Sequence, residues 1–173
     1  MIMALMSMLF VGFIAVGNGD DRESYILEMK GKNKVGSTAV DFKFLLKNGE
    51  YSTLHALNSK YVLLYFNNPD CDDCKLLKNK IIESKIISQL LDSGNLTVLS
   101  VCAFGKTEDW VNQRLPESWL DSCDENMTIL DNDLYYLPVF PALYLLDNAH
   151  KVLLKNARLK SVEEKLQDAL KRK

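Results

Sequence analysis

The stretch Tyr61-Val62-Leu63-Leu64-Tyr65-Phe66-Asn67-Asn68-Pro69-Asp70-Cys71-Asp72-Asp73-Cys74-Lys75 decides how this chain is read. Its first six residues are an apolar run of strand length, closed by Asn67-Asn68-Pro69. A run without polar alternation belongs at the centre of a sheet, buried on both faces. The spacing beyond it predicts one helix over about residues 72–91. Leu76, Leu77, Ile81, Ile82, Ile86, Ile87, Leu90 and Leu91 recur at near-helical intervals there, and Ser93-Gly94 ends the pattern. Residues 96–101 predict a second buried strand. Strand, helix and strand make a βαβ unit, hence a parallel pair with a right-handed crossover.

Working outward, residues 40–53 alternate Phe42, Phe44 and Leu46 on one side, turn at Asn48-Gly49 and return through Tyr51, which signals a hairpin. Residues 54–57 suit one helical turn. Residues 107–114 read as a helix ended by Pro116, residues 127–130 as a short edge strand, and residues 142–146 and 152–154 as strands joined by an Asp147-Asn148 turn. A last helix over about residues 161–170 is predicted with Ser161 as N-cap and Glu164 completing a capping box. The lead-in at residues 18–34 is polar, with a short helical stretch around Tyr25–Met29.

The chain has 173 residues, 47% of them apolar and 25% charged, with a net charge of −2. That accommodates one domain plus an extension, expected over residues 35–173. No basic stripe stands out, so nucleic acid is not an expected partner. Residues 1–17 carry no charged side chain and end on Ala15-Val16-Gly17. They suit the apolar core of a secretory signal, or an N-terminal anchor left uncleaved, although no Lys or Arg precedes Arg22. The expected location is the periplasm or another extracytoplasmic space.

A Cys-x-x-Cys pair has three explanations: half of a zinc site, a redox dithiol, or two structural cysteines that happen to be close. Position favours the dithiol. Cys71 and Cys74 stand where a central strand enters the first turn of a helix, whose unpaired N–H groups and positive dipole end favour a thiolate. Cys71, the more exposed, is then the nucleophile, and Cys74, one turn on, the resolving thiol. Zinc would need two further ligands from Cys102, Cys123, His55 or His150, none of which makes a second tight pair. No metal and no cofactor is expected. Cys102 reads as a small core residue ending a strand and Cys123 as part of a polar loop; a bond between them is left open. Trp110 and Trp119 read as packing in a helix-rich insert, His55 and His150 as surface residues.

Residues 62–75 resemble the active-site strand and helix of thioredoxin-like proteins, most closely the periplasmic TlpA-like branch and the Bacteroides-type proteins with acidic residues between their cysteines. Residues 36–57 are similar to the N-terminal hairpin of that branch, and Phe140-Pro141-Ala142-Leu143-Tyr144-Leu145-Leu146-Asp147 to its cis-proline strand. The resemblance spans about residues 35–170 and implies an α/β thioredoxin-like fold: a central mixed sheet flanked by helices, with an added N-terminal β-hairpin. It also implies a cis Phe140–Pro141 bond beside the cysteines, with the Phe140 backbone pairing with substrate. Pro138 is the less suitable proline, because the strand pattern follows Pro141.

Two departures from the family pattern matter. Tyr65 occupies the strand position where thioredoxins carry a buried Asp that relays protons. Asp70, Asp72 and Asp73 surround the pair, and three carboxylates oppose a neighbouring thiolate, offset in part by Lys75 and Lys78. A thiolate so disfavoured leaves the disulfide as the preferred form, which makes the protein a reductant. The expected function is an exported thiol–disulfide oxidoreductase, a monomer, that reduces disulfides of partner proteins and is re-reduced by a membrane electron donor. The rivals are a non-catalytic binding module on the same fold and a peroxiredoxin-like peroxidase. The latter wants Thr three residues before its reactive cysteine, where this chain has Asn68.

Overall fold

The computed structural model describes residues 19–171. The expected signal or anchor at residues 1–17 lies outside them. Among the described residues no helix is long and apolar enough to cross a membrane.

The apolar run of residues 61–66 forms β3 (Tyr61–Asn67) at the heart of a seven-stranded sheet. The other strands are β1 (Lys43–Leu46), β2 (Tyr51–Thr53), β4 (Leu96–Cys102), β5 (Leu120–Cys123), β6 (Ala142–Asp147) and β7 (Val152–Lys155). Their order across the sheet is β2-β1-β5-β4-β3-β6-β7. Strands β3, β4 and β5 are parallel; β6 joins β3 antiparallel, and β7 joins β6 likewise. Strand β1 pairs antiparallel with β5 on one side and with β2 on the other. Between β1 and β2 the chain turns at Asn48-Gly49, where φ of +88° at Gly49 selects glycine.

Alternation along β3 sends its side chains into two cores. Val62, Leu64 and Phe66 face an aromatic cluster with Phe42, Phe44, Tyr135 and Tyr144. Leu63 and Tyr65 face the other side, against Ile81, Ile87, Leu90, Val162 and Leu166. That second face carries α2 (Asp72–Glu83), α3 (Lys85–Asp92) and α6 (Leu159–Lys171). Strand, helix and sheet thus alternate as a mixed α/β fold, as the sequence implies. Filling this core matters energetically: truncating a fully buried Ile such as Ile81 to Ala typically costs about 2–5 kcal/mol.

Four expectations need correction. The single helix over residues 72–91 is broken at Ser84, which is extended (φ −72°, ψ 111°). A continuous helix with Ile81 inward would also turn Ser84, Lys85 and Ser88 inward. Breaking it re-phases the chain so that Ile87 and Leu90 reach the core, while Leu76 and Ile82 stay exposed. Residues 127–130 are not an edge strand: α5 (Thr128–Asp131) forms there, its Ile129 N–H bound by the buried Asp124 carboxylate. The strand in this region is β5, which places Cys123 in a buried ladder rather than a polar loop. Helix α6 begins two residues before Ser161, with the Arg158 carbonyl accepting from Val162 N–H, so Ser161 is not its cap.

The remaining helices are short or peripheral. Helix α1 (Gly19–Gly31) is longer than the stretch around Tyr25–Met29 and is tied to the domain by Tyr25, which donates to Asp133 at 2.8 Å. Helix α4 (Glu108–Asn112) is capped by Thr107, whose hydroxyl accepts from Trp110 N–H, and ends well before Pro116. Trp110 and Trp119 are both buried, as their reading for packing required.

Candidate active site

Strands β3, β4 and β5 run parallel and so end at one edge of the sheet, the edge where open α/β sheets place their sites. Asn67, the last residue of β3, is buried and donates through Nδ2 to Ser100 Oγ at 2.9 Å. Beyond it Asn68 makes the turn: its side-chain oxygen accepts from Asp70 N–H and its carbonyl from Cys71 N–H. This delivers Cys71 to the cap position of α2 in an extended conformation (φ −74°, ψ 125°).

There Cys71 Sγ does what a capping oxygen does. It accepts the backbone N–H of Cys74 at 3.3 Å, one of the orphan donors of the first turn. A sulfur so placed sits at the positive end of the helix. Cys71 is half-buried and Cys74 is 1% exposed. Burial, and then the hydrogen bond with Cys71, push the Cys74 thiol up to about 12. One sulfur therefore reaches solvent, and the other is held protonated behind it.

Tyr65 fills its vacated position with a different task. Its hydroxyl donates to the Cys74 carbonyl at 2.7 Å, and its ring meets Trp119 edge to face at 6.2 Å. Burial pushes the Tyr65 phenol far above its ordinary range, so it stays a donor to that carbonyl. The alternation of β3 places residue 65 on the helix-bearing face; the contact with Cys74 has no local signal in the sequence.

The acidic residues sit at the rim. Lys75 Nζ lies 3.3 Å from Asp72 Oδ1 and 3.9 Å from Asp70 Oδ1, and donates to the Asp70 carbonyl. The Asp70 and Asp72 side chains are 78% and 95% exposed, so their fields act largely through solvent and are screened by salt. Asp73 lies in the first turn with Asp72, where carboxylates also suit the helix dipole. Lys75 supplies the offsetting charge directly; Lys78 pairs with neither carboxylate among the described residues.

Pro141 immediately precedes β6, and the Phe140–Pro141 peptide bond is cis. Ala142 stands opposite Phe66 across the β3–β6 ladder, which brings Pro141 to the edge of the sheet where α2 starts. Phe140 and Cys71 pack at the margin of the same core cluster. Phe104, from the loop after β4, meets the Phe140 ring at 4.8 Å, a neighbour that no motif announced. Pro138 lies outside the strand and is exposed.

The other candidates stand apart from the pair. Cys102 and Cys123 are fully buried register partners on β4 and β5. His55 and His150 stack on each other with ring centroids 4.6 Å apart, and their Nε2 atoms contact the Ala39 and Leu57 carbonyls. Among the described residues no group of three or more His, Cys, Asp or Glu side chains is clustered to hold a metal ion.

No family profile and no curated protein matches the chain. Solved structures do. A thioredoxin-like protein from Bacteroides caccae is 35% identical with a TM-score of 0.83, over 86% of this chain and 54% of that one. The chain thus spans about half the length of that relative. The C-terminal domain of an uncharacterized protein from Bacteroides fragilis is 33% identical with a TM-score of 0.76, over 78% of this chain and 98% of that domain. The thioredoxin domain of a thiol-disulfide oxidoreductase from Bacteroides vulgatus shares the fold at 19% identity and a TM-score of 0.60, over 79% of this chain and 97% of that one.

Proposed function

The chain belongs to the thioredoxin-like family, and on that premise we propose that it is a thiol–disulfide oxidoreductase reducing the disulfides of partner proteins outside the cytoplasm. The observation that carries the proposal is the Cys71 sulfur capping α2 on the Cys74 N–H, with the Cys74 thiol buried behind it. The Cys71 thiolate attacks one sulfur of the partner's disulfide. That S–S bond breaks, a Cys71–partner bond forms, and the released partner sulfur takes up a proton. Once Cys71 is in the mixed disulfide, it no longer holds the Cys74 proton in place as its hydrogen bond and charge do in the reduced protein. Cys74 then loses its proton and attacks Cys71 Sγ, and the second partner thiol leaves. Two electrons have passed to the partner, and the chain ends with a Cys71–Cys74 disulfide.

Phe140 and Pro141 form the wall against which an extended substrate segment lies. Asp70, Asp72 and Asp73 surround the pair with negative charge, and the direction assigned to it is reduction. The chain works as a monomer, exported through residues 1–17, and a membrane electron donor returns it to the dithiol.

Insulin reduction with dithiothreitol as electron source tests this. Wild type accelerates it and Cys71→Ser falls to the background rate; equal rates for the two make the protein a binding module. Cys74→Ser, expressed in a native host, keeps its substrates disulfide-linked to Cys71 and so identifies them. Capture only from the cytoplasmic fraction would overturn the location.

A further inference from the structure

Cys102 and Cys123 take no part in that chemistry, yet the fold matches them closely. One rung of the sheet runs Leu45 on β1, Cys123 on β5, Cys102 on β4 and Asn67 on β3. Register partners on parallel strands project to the same face, and both sulfurs lie in one small apolar cluster with Leu45 and Trp110, Phe104 at its margin. Neighbouring strands are spaced about 4.8 Å apart. That lies inside the Cα separation of roughly 4.4–6.8 Å that a disulfide bridges. The structure holds both residues as thiols, with Cys102 Sγ turned toward the Gly105 carbonyl at 3.5 Å.

The surroundings favour a neutral form of either kind. Burial pushes the Cys102 thiol up; burial, then the charge of Cys102, push Cys123 up to about 12. A thiolate is therefore scarce in the folded protein and exchange there is slow. A disulfide carries no charge for the apolar cluster to desolvate.

We propose that Cys102 and Cys123 are a second dithiol–disulfide couple of this protein, closed as the chain folds and not turned over at the Cys71 site. The oxidant is a low-molecular-weight disulfide such as oxidised glutathione. One cysteine thiolate attacks it and releases one glutathione; the second cysteine displaces the other. One S–S bond breaks and one forms, two thiols of the chain are oxidised, and two glutathione molecules leave reduced. Closure ties β5 to β4 and draws the Cys102 sulfur away from Gly105. That glycine adjoins Phe104, whose ring packs on Phe140 next to Pro141, so the state of the couple reaches the rim of the proposed active site.

The test uses the full chain as Cys71→Ser/Cys74→Ala, refolded from denaturant in glutathione buffers of graded ratio and then alkylated in denaturant. The expected result is loss of both remaining alkylatable thiols as the buffer becomes oxidising, with a linked Cys102–Cys123 peptide in a non-reducing digest. Wild type, mapped peptide by peptide after the same treatment, gives the same linkage without any substitution. The proposal is overturned if both thiols stay alkylatable, each carries glutathione, or they link separate chains, in buffers where Cys71 and Cys74 of wild type close.

Discussion

Two cysteine pairs share this chain, and they differ in which backbone groups their sulfurs meet. Cys71 and Cys74 occupy the first turn of a helix, where an N–H with no helical partner is waiting for an acceptor. Cys102 and Cys123 lie across a parallel ladder, whose backbone donors are already paired and whose surroundings are Leu45 and Trp110. The Cys71 sulfur is half-buried and accepts a backbone N–H, whereas Cys102 and Cys123 are fully buried and burial pushes both thiols up. On the proposed function, reactivity follows from the secondary structure that presents the sulfur.

Native-state alkylation of the reduced protein is the most severe test of that contrast. Iodoacetamide should label Cys71 rapidly, with Cys102 and Cys123 protected until the domain opens. With a global stability of about 5–15 kcal/mol, opening suppresses their labelling by at least about a thousandfold. Comparable rates for all four, read by mass spectrometry, would break the comparison.

Alkaline pH gives the next largest effect. Cys74 and Cys123 move from an ordinary 9.0 to about 12 on folding. Between those values the folded protein holds more protons than the unfolded chain. The stability that this contributes is complete below pH 9.0 and is lost as pH rises toward about 12. Urea midpoints of the reduced protein should therefore fall more steeply over this range than those of protein with the Cys71–Cys74 bond closed. Parallel curves would show that Cys74 is not the buried thiol described.

Tyr65→Phe removes the donor to the Cys74 carbonyl and keeps the ring on Trp119. The expected loss is about 1 kcal/mol of stability, with a larger proportional loss in the rate at which the mixed disulfide is resolved. A drop in stability with resolution unchanged, in single-turnover assays, would reduce Tyr65 to a core residue. Smallest is the effect of Asp72→Asn/Asp73→Asn. Each loses roughly 0.3–1 kcal/mol of dipole stabilisation at low salt. The pair should nevertheless raise the alkylation rate at Cys71, by a margin that shrinks with added salt. A rate that falls would assign the carboxylates the opposite role.

What could be read in advance was local. The apolar run at residues 61–66 is a buried strand because nothing in it needs water, and Cys-x-x-Cys after it falls on a helix start by spacing alone. Strand β5 escaped because Leu120-Asp121-Ser122-Cys123 is polar and its satisfaction is remote. Asp121 is bound by Trp110, Gln113 and Lys47, and Ser122 donates to the Ser100 carbonyl. The edge strand expected at residues 127–130 failed for a local reason instead: Asp124, five positions before Ile129, supplies the acceptor that starts α5.

By itself, then, the sequence determined which segments are apolar, where the chain must turn, and that two cysteines stand one helical turn apart. Those properties depend on residues within a few positions of one another. Tertiary structure alone decided that Tyr65 holds the Cys74 carbonyl, that Phe104 backs Phe140, and that Cys102 faces Cys123. Each of these joins segments brought together by the register of the sheet, which is set by the burial of whole faces at once and by no single residue.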